Sequence, residues 1–220
     1  MVVVKRRELL LGALALSTFP KVALSDQSTT KHMMRSQLLG SNEAPIKIKE
    51  FFSLTCGHCA NFHKNTLPKL KDKYIDKGQI QLELIDYPLD RLAVIAAALA
   101  RSLPTSEGYI KAIDILLEKQ KQWAYSKKPL EELYSIAKLF GVSSKKFDEI
   151  TKNIPLMQEI VDRMEKESKN FNIESTPTFI INNEHKISGA LSFKEFETKL
   201  LKLVKAKKAA ELTESYGTYS

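Results

Sequence analysis

The chain is poor in cysteine: 220 residues contain only two, Cys56 and Cys59. A disulfide between such close positions constrains the unfolded chain very little, so the pair would be a weak structural staple. The chain also has a single tryptophan and no internal repeats. The lack of repeats excludes a solenoid, and a chain of this length can bury a core without help from disulfides.

Long hydrophobic runs are missing too. The apolar stretch at residues 9–19 holds about ten residues, whereas a transmembrane helix needs about 20. Basic residues 5–7 precede this stretch, and a small-x-small site ends at Ser25. Residues 1–25 are therefore predicted to be an export signal cleaved after Ser25. An uncleaved membrane anchor is the alternative, and the arginine pair also hints at twin-arginine export.

The net charge of +8 comes from 34 lysines and arginines against 26 acidic residues. These basic residues are scattered along helical faces and do not cluster with aromatic residues, which indicates a solvated surface. No nucleic-acid partner is predicted. An export signal and a lone cysteine pair together indicate an oxidising compartment in which the pair is reactive.

Alternating apolar and polar residues predict a small mixed sheet. Two strands straddle a helical segment and should be parallel, and two later strands flank the turn at residues 182–184 and should form a hairpin. The predicted strands cover residues 46–52, 80–85, 178–181 and 185–188.

Residues 90–170 lose strand character and predict four to five helices. The predicted fold is α/β, with a sheet domain formed by residues 26–89 and 171–205 and flanked by helices. Residues 90–170 form a helical domain inserted into it. Residues 206–220 are predicted to be a carboxy-terminal tail, because apolar residues thin out there.

Cys56 and Cys59 lie where the first strand gives way to a helix predicted for residues 56–74, with a kink near Pro68. The amino end of a helix favours an anion, so Cys56 should be the attacking thiolate and Cys59 the resolving cysteine. A protonated His58 in the same turn would lower the pKa of Cys56 further.

A zinc site is the competing interpretation of these residues. Cys56, Cys59 and His63 have a plausible ligand spacing, and His58 or His185 would complete the shell. A strand-turn-helix setting without a second Cys-x-x-Cys favours redox chemistry, so no metal is predicted. His63 is expected to be a surface or half-buried helix residue.

Glu50 continues the apolar alternation of the first strand, which places a carboxylate on its core face. A buried acid in this position could exchange a proton with Cys59 during disulfide formation. The alternative is a strand-end residue that reaches water or pairs with Lys47 or Lys49. Proline at the start of a strand, as at Thr176-Pro177, can be a simple boundary.

Two motifs in this chain resemble bacterial DsbA-type thiol–disulfide oxidoreductases. One comprises Leu39-Gly40-Ser41, Ala44-Pro45 and the run from Glu50 to Cys59, and resembles their active-site region. The other, Ser175-Thr176-Pro177-Thr178-Phe179-Ile180-Ile181-Asn182 followed by Ser188-Gly189-Ala190, resembles their cis-proline segment. The resemblance covers most of residues 38–205 and both motifs have the family's order and spacing.

The resemblance implies a thioredoxin fold with an inserted helical domain. It also implies an activity that needs no cofactor. It implies catalytic roles for Cys56 and Cys59, a buried Glu50, and a cis Thr176–Pro177 bond whose loop accepts the substrate backbone. It also implies a periplasmic protein that acts on exported polypeptides with free cysteines and is reset by a DsbB-like membrane partner. Gly57 departs from the family, many of whose members have proline there.

Three functions follow as expectations. The leading one is an exported oxidoreductase that donates a Cys56–Cys59 disulfide to secreted proteins. A disulfide isomerase or reductase using the same site is the nearest alternative, because Cys-Gly-His-Cys is the pattern of eukaryotic disulfide isomerases. A redox-inert thioredoxin-like chaperone or surface interaction protein is the third. Only residues 26–45 would precede the first clear strand of the mature chain, so a monomer is expected.

Overall fold

A computed structural model describes the backbone of residues 29–217 and the side chains as far as Lys205. The predicted export signal, residues 1–25, lies outside the described residues. Within the part that is described, no helix is both long and apolar enough to cross a membrane.

Five strands of the described chain form one mixed sheet in the order β1-β3-β2-β4-β5. β2 is parallel to β3, while β1 is antiparallel to β3, and β4 is antiparallel to both β2 and β5. The predicted parallel pair and the predicted hairpin are therefore confirmed. The strands are β1 (Gln37–Leu39), β2 (Ile46–Phe52), β3 (Ile80–Asp86), β4 (Thr178–Ile181) and β5 (His185–Ser188).

Helices surround this sheet, and most of them lie between β3 and β4, which confirms an α/β fold with a helical insertion. They are α1 (Gly57–Asn65), α2 (Leu67–Leu70), α3 (Arg91–Arg101), α4 (Ser106–Glu118), α5 (Gln120–Trp123), α6 (Pro129–Ala137), α7 (Ser144–Thr151), α8 (Ile154–Phe171) and α9 (Phe193–Gly217).

The core lies between the sheet and the helices. β3 is almost wholly buried and β2 has no exposed residue, as expected for the central strands of a sheet covered on both faces. The core continues into the insertion, where Trp123 is fully buried and donates its indole N–H to the carbonyl of Leu116. The two parts of the chain therefore share one core.

Helix boundaries differ from the sequence predictions in two places. The helix predicted for residues 56–74 breaks at Thr66, and Pro68 lies in the first turn of α2, where its missing N–H removes no intrahelical bond. Residues 90–170 form six α-helices where four to five were predicted, because the backbone at Lys119 leaves helical geometry and separates α4 from α5.

The predicted tail at residues 206–220 is wrong for residues 206–217, whose backbone continues α9. Apolar residues thin out there, but alanine, lysine and glutamate predominate, and these residues have high intrinsic helix propensity.

Candidate active site

The turn between β2 and α1 places both cysteines at the amino end of α1. Cys56 is the N-cap residue, and its backbone N–H donates to the carbonyl of Ser53 at 3.1 Å. Gln120 of α5 holds the turn from the other side, because its side-chain amide donates to the carbonyls of Leu54 at 2.8 Å and Cys56 at 3.0 Å. The helical insertion therefore helps to fix the position of Cys56.

The two thiols are free and differ in exposure: Cys56 is 9% exposed and Cys59 is fully buried. The Cys56 thiol donates to the carbonyl of Thr176 at 3.4 Å, and the backbone N–H of Ser53 donates to Cys59 Sγ at 3.5 Å. Cys56 is thus the cysteine that an incoming sulfur can reach.

The pKa of Cys56 is lowered from 9.0 to about 5. A hydrogen bond from the Cys59 thiol is the largest cause, and it outweighs the burial that raises the pKa. The Thr176 side chain and the backbone N–H groups of Cys59 and His58 lower the pKa further. The value lies within the range of about 3.5–7.5 that is typical of reactive cysteines at helix N-termini.

The pKa of Cys59 moves strongly in the opposite direction. Burial is the main cause, followed by the side chain and charge of Cys56, while the charge of Glu50 adds to the increase. Cys59 therefore remains a thiol at neutral pH.

His58 has an exposed side chain, and its backbone N–H lowers the pKa of Cys56. The further lowering by a protonated His58 side chain stays a prediction.

The Thr176–Pro177 bond is cis, as the family resemblance implies. Pro177 is buried, and its carbonyl accepts from the backbone N–H of Gly189 at 2.8 Å. The adjacent Thr176 presents its carbonyl to Cys56. Thr176 thus borders the reactive sulfur, and the cis bond joins it to Pro177.

Glu50 is fully buried on β2, which confirms that it points into the core. Its Oε1 atom lies 3.0 Å from Nε2 of His63, which lies about two helical turns after Cys56 on α1. The expectation that His63 is exposed or half-buried is wrong, because only 4% of its side chain is exposed. Its ring packs against those of Phe52 and Phe62.

Burial alone would lower the pKa of His63, but the charge of Glu50 and the nearby Asp114 raise it to about 9. His63 is thus a buried imidazolium paired with a buried carboxylate. This pairing also removes His63 from the proposed zinc shell. In the part of the chain that the structure describes, no three His, Cys, Asp or Glu side chains converge to hold a metal ion.

Sequence reasoning missed Gln120, His63 and Asp114. Gln120 lies 64 residues from Cys56, and a single sequence gives no sign of such a contact. His63 has a detectable signal: it follows Cys59 by four residues, and positions four apart share a helix face. Cys59 and His63 are indeed both buried, on the same face of α1.

The comparisons with known proteins agree with this geometry. A family model described as Thioredoxin matches residues 32–202. The chain belongs to this family. The crystal structure of α-DsbA1 from Wolbachia pipientis is 29% identical, with a TM-score of 0.71, and the match covers 81% of this chain and 95% of that chain. The fold is therefore a thioredoxin fold with an inserted helical domain.

Two further relatives are more distant in sequence or longer. The structure of oxidised BdbD from Bacillus subtilis is 22% identical with a TM-score of 0.61, covers 77% of this chain and 93% of that chain, and supports the fold. A Rickettsia typhi protein, provisionally named a protein-disulfide oxidoreductase, is 30% identical over 162 residues. The match covers 74% of this chain but spans only 60% of that relative's length.

Proposed function

We propose that this chain is an exported thiol–disulfide oxidoreductase that donates a Cys56–Cys59 disulfide to cysteines of other exported proteins. The observation that carries the proposal is the contrast between the two cysteines. Cys56 is reachable and has a pKa of about 5, whereas Cys59 is buried with a raised pKa. A thiolate this stable favours the reduced form of the pair, which makes the disulfide oxidising.

The donation takes two exchanges. A substrate thiolate attacks Cys56 Sγ, the Cys56–Cys59 bond breaks, and Cys59 leaves as a thiolate that must take up a proton. A second substrate thiolate then attacks the substrate sulfur of the mixed disulfide, and Cys56 leaves as a thiolate. The substrate loses two electrons and gains a disulfide, while the protein becomes a dithiol. A leaving thiol with a low pKa speeds the second exchange.

Three further residues have roles in this proposal. Thr176 borders Cys56, and Thr176 and Pro177 would receive the substrate backbone, as the family resemblance implies. Glu50 is the buried acid whose charge acts on Cys59, and it would supply the proton that the departing Cys59 requires.

The proposed location is the periplasm, and the proposed partners are exported polypeptides with free cysteines. A DsbB-like membrane protein would reoxidise the dithiol. The names of similar proteins support a role in disulfide formation: α-DsbA1 in Wolbachia pipientis and a disulfide bond formation protein D in Bacillus subtilis. The protein is proposed to act as a monomer.

The test uses the full chain, oxidised and purified. Expected results are rapid oxidation of a reduced, unfolded substrate and sedimentation as a monomer. Alkylation of the reduced protein at mildly acid pH should label Cys56 before Cys59, as read by mass spectrometry. A stable dimer that reshuffles a scrambled substrate well but oxidises poorly would instead identify an isomerase. No exchange with substrate thiols would identify a redox-inert scaffold.

A further inference from the structure

The buried Glu50–His63 pair has two polar atoms without a hydrogen-bond partner. Glu50 Oε1 and His63 Nε2 bond to each other, but Glu50 Oε2 and His63 Nδ1 are both buried and unpaired among the described residues. An unpaired buried polar atom costs stability, so two in one pair require an explanation. Both atoms can take up or release a proton, unlike a buried amide.

The first unpaired atom, Glu50 Oε2, is the one that can act on the dithiol. Glu50 is close enough to Cys59 for its charge to contribute to the raised pKa of that thiol. Its free Oε2 atom is therefore available to accept the proton that Cys59 loses when a disulfide forms, and to return it when the disulfide opens.

The second unpaired atom, His63 Nδ1, belongs to a residue that lines a pocket. His63 and Asp114 line a cavity of about 350 Å³ between α1, α2 and α4, on which Lys64, Lys71 and Glu118 also border. Asp114 Oδ1 lies 4.0 Å from His63 Nδ1, too far for a hydrogen bond, and the Asp114 side chain is 60% exposed. A water molecule fits a polar space of this size and could connect the ring to the surface.

The charges of the pair depend on each other. Burial disfavours an imidazolium at His63, and the ionised Glu50 is the main group that stabilises it. If Glu50 becomes a neutral acid, the largest stabilising contribution disappears; Asp114 still raises the pKa of His63, but burial then shifts the ring toward its neutral form. A proton gained by Glu50 should therefore be matched by a proton lost from His63.

We propose that His63 is a positioning residue for Glu50. Whenever Glu50 exchanges a proton with Cys59, His63 exchanges a compensating proton with water in the pocket between α1, α2 and α4. This inference rests on the proposed function. It assigns the buried pair two neutral states, carboxylate with imidazolium in the dithiol protein and carboxylic acid with imidazole in the disulfide protein.

The proton balance closes in both directions. When a substrate opens the disulfide, Glu50 gives its proton from Oε2 to the departing Cys59 sulfur, and His63 takes a proton from pocket water on Nδ1. When the disulfide is restored, Cys59 returns its proton to Glu50 and His63 releases one at Nδ1. Each cycle of the pair exchanges one proton with solvent, and no net charge is buried.

Titratable groups from three elements lie around His63. Glu50 faces the ring from β2, Cys59 precedes it on α1, and Asp114 faces it from α4. The lysines and Glu118 at the pocket are surface groups that influence the pocket field. Both acids line the pocket, but Asp114 is the one that faces Nδ1. A variant of Asp114 is therefore the test and a variant of Glu118 its matched control.

The direct experiment is NMR titration of the His63 imidazole in the wild-type protein, poised fully reduced or fully oxidised with glutathione. The expected midpoint is about 9 in the dithiol form. In the disulfide form it should fall by about two units, toward the ordinary value near 6.5. The exposed His32, outside the turn that holds the two cysteines, is the internal control. An imidazolium that persists at the same midpoint in both forms would overturn the inference.

Kinetics with variants provide the second measurement. His63→Gln keeps a hydrogen bond to Glu50 but cannot exchange the proton, so disulfide opening by a small thiol should slow about 10-fold or more and lose its pH dependence. Asp114→Asn should have a smaller effect, and Glu118→Gln none. Free imidazole should restore part of the rate to His63→Ala through the pocket. An unchanged rate and pH profile in His63→Gln would contradict the inference.

The two proposals can fail separately. Poor oxidation of protein substrates by the wild-type chain would refute the proposed function, but the NMR titration would still report the coupling between the dithiol and His63. Efficient oxidation with a redox-independent His63 would refute only the inference.

Discussion

Two buried ionic clusters lie among the residues that the structure describes, and they differ in what their atoms can do. Beside the dithiol, Glu50 pairs with His63. At the junction of β3 with α3 and α4, Asp86 accepts from Arg101 Nε at 2.5 Å and from the Tyr109 hydroxyl at 3.1 Å. Arg101 also donates to the carbonyls of Met33 and Arg35.

Burial does not distinguish these clusters, since Glu50, Arg101 and Tyr109 are all fully buried. The difference lies in the free atoms. The unpaired atom of the second cluster is Arg101 Nη2, and a guanidinium does not lose its proton in a protein. Both oxygens of Asp86 are bonded. Each member of the Glu50–His63 pair instead has one unpaired atom that can bind or release a proton. Such unpaired proton-binding atoms therefore indicate chemistry better than buried charge does.

The largest expected effect is on stability, from Arg101→Met. The substitution leaves Asp86 buried without its cation, which should cost about 3–5 kcal/mol of unfolding free energy. Denaturant unfolding measures this loss, and the exchange rate per folded molecule should stay at the wild-type value. Arg163→Met is the control, because its pair with Glu83 is partly exposed and should be worth about 1 kcal/mol or less. Equal losses in both variants would contradict the structural role of the Arg101 cluster.

Glu50→Gln should produce the opposite profile. His63 can shed its proton once Glu50 is neutral, so stability near neutral pH should fall much less than in Arg101→Met. The rate of thiol exchange should fall about 100-fold, because a proton donor to Cys59 is lost. Stopped-flow fluorescence with a small thiol measures the rate. Wild-type kinetics in this variant would show that Glu50 has only a structural role.

Much of this comparison could be anticipated from the sequence. Period-two alternation located Glu50 on the core face of β2, and the strand-turn-helix setting of Cys56 assigned the two sulfurs. The conformation of Thr176–Pro177 came only from the family resemblance, because trans is the usual state of any X-Pro bond. Asp86, Arg101 and Gln120 come together only through tertiary packing across the insertion, and local patterns do not encode such contacts.

The pH dependence of stability should separate Cys56 from His63 in the reduced protein. The depressed pKa of Cys56, about 5 against 9.0 unfolded, makes stability rise with pH through this window. The raised pKa of His63, about 9 against 6.5, adds stability below 6.5 that is lost as pH approaches 9. Stability should therefore rise from about pH 5 to 6.5, by less than about 1.4 kcal/mol per unit, and then level off.

Denaturant midpoints of the reduced wild type, Cys56→Ser and His63→Gln measure these contributions across the same pH range. Cys56→Ser should lose the rise at acid pH, whereas His63→Gln should continue to gain stability up to about pH 9. Parallel curves for all three proteins would mean that neither group titrates as the structure indicates.

The smallest expected effect comes from Gly57→Pro, a change outside both clusters that restores the residue common in the resembling family. Gly57 is the first residue of α1, where proline is favourable, and an added Cβ would meet only the side-chain oxygen of Gln120, at an ordinary 3.9 Å. The backbone N–H groups that lower the pKa of Cys56 belong to His58 and Cys59, so none of them is lost. Stability should rise by about 0.4–1 kcal/mol, chiefly because the unfolded chain is restricted. Denaturant unfolding and the pH dependence of Cys56 alkylation measure both expectations. A marked shift of the alkylation midpoint would mean that residue 57 tunes the thiolate by a route other than its backbone N–H or contact with Gln120.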